Sequence, residues 1–229
     1  MPNAHASEKT KAEGDLPADE ARTGGPKLWL APYRLILAST SATRRDLLAG
    51  AGVPFDVISA RIDERAVEEE FLGQGGSPDD LARRLAKAKA LEVSSRNPQA
   101  LCLGADQTLS LGGRILHKPA DLATAADHLR MLAGRRHRLV SAFSFARGGA
   151  VLFEGDDVAE LTMRPLDERA IRLYLALAGA VALLSVGAYQ VESLGVHLFE
   201  KIEGDHATVL GLPLIPILAW LRAQGCLAL

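Results

Sequence analysis

The sequence predicts a mixed α/β fold in which an elongated, twisted sheet forms two lobes, with helices around it and a central cleft. In the first half of the chain, short apolar runs alternate with amphipathic stretches, which is typical of α/β units. The second half contains two long strand-like segments, 137–147 and 150–163, joined by the Gly148–Gly149 turn. The 229 residues are 48% hydrophobic and 24% charged, which is sufficient to bury a core.

The predicted elements of the first half begin and end at residues that favour those positions. The helix that begins at Ser77 has a serine N-cap, Pro78 in its first turn and acidic residues that oppose the helix dipole. In chain order we predict a strand at 34–38, a helix at 42–50, a strand at 55–59, a polar turn at 61–65, a helix at 77–95, a strand at 101–105 followed by a second strand piece, a hairpin turn at 112–113, and a helix at 122–133.

Beyond the hairpin, the second half is predicted to continue with a helix at 167–178, strands across 187–202, a short helix at 206–210 and a final helix at 213–225. The run from Leu173 to Val191 carries no formal charge, but glycines and polar residues interrupt it. We interpret it as a buried helix followed by a buried strand, rather than as a membrane span.

Residues 1–33 are predicted to be a flexible N-terminal extension, and residues 34–229 a single domain. The first 27 residues are polar and charged and lack the apolar segment of a signal peptide. The two cysteines, Cys102 and Cys226, have no C-x-x-C spacing, so we expect a reducing, cytoplasmic location. A formal net charge of -2 argues against nucleic acid or an anionic membrane as a partner.

Residues 34–48 predict a site for an anion. They form a short apolar run, a turn with Ser39 and Ser41, and a helix start that carries two adjacent arginines, the first of which is Arg44. Because a helix start offers unpaired N–H groups and the positive end of the helix dipole, it favours a phosphate. The alternative is that Ser41 or Thr43 is only an N-cap and that the arginines are solvated.

Asp106 is predicted to lie at the end of a buried strand, directly after L-C-L-G-A. A carboxylate in that position is costly unless it is paired, hydrated or bound to a metal. The alternative is a turn aspartate that bonds to its local backbone. We favour a functional role because no turn signal follows immediately.

Further charged residues follow or flank neighbouring elements. The Asp63–Glu64 pair follows the second predicted strand, and Lys118 precedes a proline that restricts its backbone. Lys87 and Lys89 lie about 200° apart around their helix, so at most one of them faces a given site. Together with the serines and Arg44, these cations and carboxylates suit a polyphosphate and its Mg²⁺.

Eight segments of the chain, in the order in which they occur, resemble the motifs of the Maf family of nucleoside triphosphate pyrophosphatases. The matching segments are L-A-S-T-S-A-T-R-R-D-L-L (37–48), I-D-E (62–64), L-A-K-A-K-A (85–90), G-A-D-Q (104–107), K-P (118–119), A-G-R-R-H (133–137), G-A-Y-Q-V-E (187–192) and G-D-H-A-T-V-L-G-L-P-L (204–214). The resemblance implies a two-lobed α/β fold with a central cleft in a cytoplasmic, often dimeric protein. It also implies hydrolysis of a nucleoside triphosphate between the α and β phosphorus, which gives the monophosphate and pyrophosphate.

By motif position, the resemblance also implies roles for individual residues. Asp106 would accept the proton of the attacking water, and Glu64 and Asp106 would hold a divalent metal, Mg²⁺ or Mn²⁺. The triphosphate site would be lined by Ser39, Ser41, Arg44, Lys89 and Lys118. An alternative class, a nucleotide-binding regulator of septation without important catalysis, would keep the cations but could dispense with both carboxylates.

Three departures from the common family pattern indicate a branch. Thr43 is inserted where many members have S-P-R-R, Gln107 stands where many have threonine, and Glu192 stands where many have glutamine. This combination resembles the branch that hydrolyses 7-methyl-GTP more than the branch that hydrolyses dTTP and UTP. An ionised carboxylate at position 192 accepts hydrogen bonds from both donors of a guanine edge. The alternative is that Glu192 only pairs with a nearby arginine.

Overall fold

A computed structural model describes residues 27–229. Its seven strands are β1 (Leu35–Ala38), β2 (Asp56–Val57), β3 (Leu101–Leu111), β4 (Arg114–Leu116), β5 (Arg136–Arg147), β6 (Ala150–Met163) and β7 (Phe199–Glu203). They form one mixed sheet with the order β2-β1-β3-β5-β6-β7, and β4 pairs with the end of β3. β1 is parallel to both of its neighbours, whereas the other pairs are antiparallel.

Seven α-helices accompany the sheet in this part of the chain. They are α1 (Ala42–Gly50), α2 (Glu64–Gly73), α3 (Leu81–Arg96), α4 (Leu122–Leu132), α5 (Glu168–Ala178), α6 (His206–Val209) and α7 (Leu214–Ala223). Short 3₁₀ turns lie at 78–80, 179–183, 186–188 and 194–198. Within residues 27–229, none of the helices combines the length and the apolar character that crossing a bilayer requires.

Two apolar cores divide the elongated sheet into two lobes. In one lobe, α4 and α5 pack on the sheet around Leu109 and Leu161. In the other, α1 and α7 pack around Leu103 and Phe145. Because β3 supplies Leu103 to one core and Leu109 to the other, the same long strand joins both lobes. The predicted fold class is confirmed.

Helix α3 lies directly on β3 because of Gly104. A Cβ atom at this position would lie 2.1 Å from the carbonyl oxygen of Ala86 and 2.6 Å from the backbone nitrogen of Ala90. Only a residue without a side chain allows the two backbones to approach so closely. The contact fixes the helix above the centre of the strand and so positions Lys89, which precedes Ala90.

Residues 28–33, the last part of the predicted extension, pack against the body of the protein. Trp29 forms a β-bridge with Leu227 near the C-terminus. Leu28 and Trp29 also pack against the core that contains α7, and this burial of apolar surface outweighs the flexibility expected of an extension. Residues 1–26 of the predicted extension lie outside the described residues.

Three expectations need correction. The segment 61–65 is not only a turn, because it contains the start of α2, where the Asp63 side chain accepts two N–H groups of the first turn at 3.1 Å. β3 continues without interruption to Leu111, so Asp106 lies inside a strand rather than at its end. The strands predicted across 187–202 are wrong except for β7, since residues 187–198 form 3₁₀ turns and irregular backbone and Gly187 has a φ of 75°.

Candidate active site

A cleft of about 650 Å³ lies between the lobes, beside the middle of β3. Its walls come from the β1–α1 turn, the start of α2, the loop after β4 and the segment 184–192. All ten residues that the sequence singled out line this cleft: Ser39, Ser41, Thr43, Arg44, Glu64, Lys89, Asp106, Gln107, Lys118 and Glu192.

An ion-pair cluster lies in the cleft and consists of the buried Lys89 and Asp106 and the exposed Glu64. The Nζ atom of Lys89 lies 2.6 Å from Oδ1 of Asp106 and 3.0 Å from Oε1 of Glu64. Asp106 is 7% exposed and Lys89 is 8% exposed, so their attraction is screened less by water than that of a surface pair. Removal of one partner would leave an uncompensated buried charge, which typically costs about 3–5 kcal/mol.

The surroundings of Asp106 rule out one of the two interpretations of this residue. It lies in the interior of β3 and pairs with a lysine from α3, so the turn-aspartate alternative is wrong. The two lysines of α3 diverge as expected, because Lys87 points away from Lys89 and pairs with Glu154 at 3.2 Å. A carboxylate is tolerated inside this strand because Lys89 lies directly above it.

Arg44 is anchored by three oxygen atoms. Its Nε donates to the carbonyl of Gly211 at 2.8 Å, and its Nη1 donates to the carbonyl of Ala105 at 3.0 Å and to Oγ of Ser39 at 3.4 Å. Burial lowers the pKa of Arg44 and the carboxylates of the cleft oppose this shift, but a guanidinium stays charged in proteins. Within the described residues Nη2 has no hydrogen-bond partner, so this end of the fork is open to an anion.

The two serines of the β1–α1 turn have different partners. Oγ of Ser41 accepts the backbone N–H of Arg44 at 3.4 Å, so Ser41 is the N-cap of α1 and that part of the alternative is confirmed. Oγ of Ser39 accepts the N–H of Ser41 at 3.2 Å in addition to the guanidinium. Because both contacts use its lone pairs, the hydroxyl proton of Ser39 remains available to a ligand. Thr43 lies in the first turn of α1 and faces the cleft.

The side-chain amide of Gln107 forms hydrogen bonds within the wall of the cleft and does not project into its open space. Its Nε2 donates to Oγ of Ser141 at 2.9 Å and to the carbonyls of Thr208 and Val209 at 3.1 and 3.0 Å. Gly211 follows with a φ of 97°, which a residue with a side chain rarely adopts. Gln107 and Arg44 therefore both attach the segment 208–211 to the cleft.

The mouth of the cleft carries cations. Lys118 is exposed on the loop after β4, and beside it His117 lies 3.3 Å from Glu68 of α2. Arg65 also lines the cleft, and sequence reasoning missed it because a charge in a polar segment is usually solvated. Within residues 27–229 neither Arg65 nor Lys118 forms an ion pair, so both are free to meet a negatively charged ligand.

Glu192 lies on a segment of tight turns that forms another wall of the cleft. It is exposed and lines the cleft together with Tyr189 and Gln190. No ion pair involving Glu192 occurs in the part of the chain that the structure describes, so the alternative that it only pairs with an arginine finds no support. The carboxylate is available to a ligand.

The carboxylates of the cleft fit a metal that arrives with its ligand. The described residues contain no group of three or more His, Cys, Asp or Glu side chains arranged to hold a metal by themselves. Glu64 and Asp106 nevertheless converge on the same ammonium group. Mg²⁺ is usually bound by one or two carboxylates together with substrate phosphates, so two carboxylates are a sufficient protein contribution.

Comparisons with known proteins place the chain in a family. The family of Maf-like proteins matches residues 34–224. A "nucleoside triphosphate pyrophosphatase" of Rhodopseudomonas palustris is 54% identical over 88% of this chain and 98% of its own length. A "7-methyl-GTP pyrophosphatase" of Rhizobium etli is 56% identical over 84% of this chain and 96% of its own.

Likeness to a solved structure is weaker. A HAM1 protein from Coxiella burnetii is 18% identical to this chain, with a TM-score of 0.38. The structural alignment covers 57% of this chain and 73% of the HAM1 protein. A TM-score below 0.5 supports no inference about function. The family match and the two relatives suffice: this chain belongs to the family of Maf-like proteins.

Proposed function

We propose that this protein hydrolyses the α–β phosphoanhydride bond of nucleoside triphosphates and releases the monophosphate and pyrophosphate. The observation that carries this proposal is the ion-pair cluster in which the buried Lys89 contacts the buried Asp106 and the exposed Glu64, in a cleft that cations and hydroxyl groups also line. The names of the relatives from Rhodopseudomonas and Rhizobium support the same reaction class.

In this reaction Asp106 accepts a proton from a water molecule, and the water oxygen attacks the α-phosphorus. The bond from the α-phosphorus to the bridging oxygen breaks, and pyrophosphate leaves with the electron pair. Lys89 contacts Asp106 and Glu64, so it orients both carboxylates and adds positive charge where negative charge develops on the phosphoryl oxygens.

The triphosphate binds to donors that the fold already orients. Within the described residues, Nη2 of Arg44 and the hydroxyl proton of Ser39 have no hydrogen-bond partner. Both groups lie near the N-terminus of α1. Lys118 and Arg65 complete the site from the mouth of the cleft. Glu64 and Asp106 would hold a divalent cation, Mg²⁺ or Mn²⁺. When bound, it polarises a phosphoryl oxygen and neutralises phosphate charge.

Guanosine-type nucleotides, including methylated ones, are the substrates that this cleft suits. The exposed carboxylate of Glu192 accepts the N1–H and the amino group of a guanine edge, whereas a uracil edge would turn two carbonyls toward it. The relative named 7-methyl-GTP pyrophosphatase supports this preference. We further expect the protein to be a homodimer in the cytoplasm. Its ligand is the nucleoside triphosphate, and we expect it not to bind nucleic acid.

The second candidate is a nucleotide-binding regulator of septation without important catalysis. Such a protein needs the cations but not a buried carboxylate at the centre of its site, so the 2.6 Å contact between Lys89 and Asp106 favours the enzyme. The discriminating property is turnover.

The test is a panel of standard and modified nucleoside triphosphates with Mg²⁺ or Mn²⁺, in which pyrophosphate and orthophosphate are measured separately. We expect stoichiometric monophosphate and pyrophosphate, with guanosine-type substrates ahead of UTP and dTTP. Orthophosphate formed without added pyrophosphatase would contradict the proposed bond, and binding without turnover would favour the regulator.

A further inference from the structure

A buried pair of polar side chains lies behind the cleft and takes no part in the proposed chemistry. Nε2 of His137, on β5, lies 2.8 Å from the hydroxyl of Tyr189. The two residues are 2% and 4% exposed. Burial lowers the pKa of His137 to about 4, so the ring is neutral near pH 7 and acts as a hydrogen-bonding group rather than as a cation.

Aromatic packing holds the same pair. The ring of Phe199 meets the Tyr189 ring edge-on, with centroids 4.8 Å apart, and lies 5.9 Å from the His137 ring. The hydroxyl of Tyr189 is thereby directed to His137, while another part of this side chain lines the cleft. The hydrogen bond thus links β5 to the wall of the cleft.

The backbone just before Tyr189 has an unfavourable conformation. Ala188 has a φ of 66° and Gly187 a φ of 75°, so two consecutive residues lie in the left-handed region. Such a conformation at a non-glycine residue costs on the order of 1–3 kcal/mol and persists only where its surroundings impose it. The hydroxyl of Tyr174 donates to the carbonyl of Ala188 at 3.1 Å, so two tyrosine hydroxyls fix this turn.

The residues that follow depend on this turn for their position. Gln190 and Glu192 line the cleft directly after Tyr189. The turn is closed by the N–H of Ser193, which donates to the carbonyl of Gln190 at 3.2 Å. Gly195 packs against the same residue so closely that a Cβ atom there would lie 2.3 Å from the Gln190 carbonyl oxygen. A shift of Tyr189 would therefore move the wall that carries both side chains.

We propose that His137 and Tyr189 are positioning residues for nucleobase discrimination: their hydrogen bond holds the segment 190–192 in the position at which Glu192 meets the base. This inference rests on the base recognition proposed above. It differs from a stabilising role in predicting a change of selectivity that does not follow the change of stability.

The experiment measures binding, so that it does not depend on turnover. Dissociation constants of the α,β-methylene analogues of 7-methyl-GTP and UTP are determined for the wild type, Tyr189→Phe, His137→Phe and the double variant. Tyr33→Phe is the matched control, because its hydroxyl lies 3.4 Å from Cys226 and Tyr33 is not among the residues that line the cleft. Melting temperatures and pyrophosphate release from the parent nucleotides are recorded in parallel.

Selectivity is the dissociation constant of the UTP analogue divided by that of the 7-methyl-GTP analogue. In Tyr189→Phe we expect this ratio to fall about three- to tenfold, which corresponds to the loss of one buried hydrogen bond. Each single variant leaves a buried polar atom unpaired and lowers the melting temperature, whereas the double variant removes both partners and regains part of it. The ratio should stay low in the double variant, and Tyr33→Phe should keep the wild-type ratio.

Three results would overturn the positioning role: an unchanged ratio in Tyr189→Phe, a ratio that recovers together with the melting temperature in the double variant, or a wild type that binds both analogues equally. Failure of the proposed reaction is a separate result, because it would appear as absent pyrophosphate release from the wild type while the binding ratio still decides the role of the pair.

Discussion

The proposed phosphate end of the cleft (Ser39, Arg44, Glu64, Lys89 and Asp106) and its proposed base end (residues 185–192) are built in different ways. At the phosphate end, each side chain comes from a strand, from the turn directly after one, from the start of a helix or from the face of α3, and contacts another member of the site. At the base end, the wall is one 3₁₀ turn at 186–188, which contains two residues at positive φ, followed by irregular backbone and a turn.

The contrast indicates which end of the cleft tolerates a change of shape without an effect on the reacting groups. The phosphate end is bound to regular elements by contacts such as the 3.0 Å bond from Arg44 to the carbonyl of Ala105 in β3, so a change there affects the chemistry directly. The base end depends on distant packing around Tyr189, so its shape can change without any change to the reacting groups. Substitutions at the two ends should therefore separate turnover from selectivity.

The largest effect is expected from Asp106→Asn at the phosphate end. Loss of a general base typically lowers kcat by about a hundredfold to ten-thousandfold. The melting temperature should fall, because one carboxylate charge beside Lys89 is lost, but the fold should survive, because asparagine has nearly the same shape and Lys89 keeps its ion pair with Glu64. Steady-state kinetics and a melting curve check this. Asp56→Asn, on an exposed pair with Arg34, is the control and should keep full activity. A kcat close to that of the wild type would remove Asp106 from its role.

Acid should destabilise the base end through His137. Its pKa is about 4 in the folded protein, against 6.5 for an unperturbed histidine. Between these values the unfolded chain binds a proton that the folded chain does not, so stability present above pH 6.5 falls as the pH falls toward 4. The loss is roughly 3 kcal/mol, at about 1.36 kcal/mol for each pKa unit. Urea unfolding of the wild type and His137→Phe over this range measures it, and equal pH slopes would contradict burial of a neutral ring.

Substitution of two cations of the phosphate region should lower kcat/KM in both cases but lower the melting temperature in only one. Arg44→Ala and Lys118→Ala should each lower kcat/KM about ten- to a hundredfold, since a hydrogen bond to a charged group contributes about 1.5–3 kcal/mol. Only Arg44→Ala should also lower the melting temperature, because Arg44 binds two backbone carbonyls. The exposed neighbour Arg45 provides the control substitution Arg45→Ala. If both site variants had wild-type kinetics, neither cation would contact the substrate.

The smallest effect is expected from Glu192→Gln at the base end. An amide both donates and accepts, so the preference for guanosine-type over uridine-type triphosphates should narrow, by about fivefold if one charged hydrogen bond becomes neutral. Relative kcat/KM values for GTP, 7-methyl-GTP and UTP provide the measurement, with Glu200→Gln on β7 as the control. Equal values for all three substrates in both the wild type and Glu192→Gln would reject base recognition by residue 192 without affecting the chemistry.

The sequence predicts the phosphate end better than the base end, for physical reasons. The apolar run before Ser39 and the polar start of α1 are local signals, so the strand, turn and helix emerge from one short segment. Asp106 is recognisable from the sequence, but its place inside β3 is not, because the lysine that permits a buried carboxylate comes from a different element. A stabilising partner that is distant in sequence gives no local signal.

At the base end the local pattern points in the wrong direction. The alternation of apolar and polar residues after Gly187 is typical of a strand, yet this segment forms 3₁₀ turns and irregular backbone. The turns exist because Gly187 fits against Leu109, where a Cβ atom would lie 2.6 Å from Cδ1, and because the hydroxyl of Tyr174 binds the carbonyl of Ala188. These contacts join segments far apart in the chain, so the sequence alone assigns no role to Tyr189 or Arg65.

Hydrolysis in H₂¹⁸O tests the central claim, attack of water on the α-phosphorus, most directly. The wild type is incubated with a guanosine-type triphosphate and Mg²⁺ in labelled water, and both products are examined by mass spectrometry. We predict a single ¹⁸O atom in the nucleoside monophosphate and none in pyrophosphate. Label in pyrophosphate, or labelled orthophosphate with a nucleoside diphosphate, would show that water attacks a different phosphorus and would contradict the account.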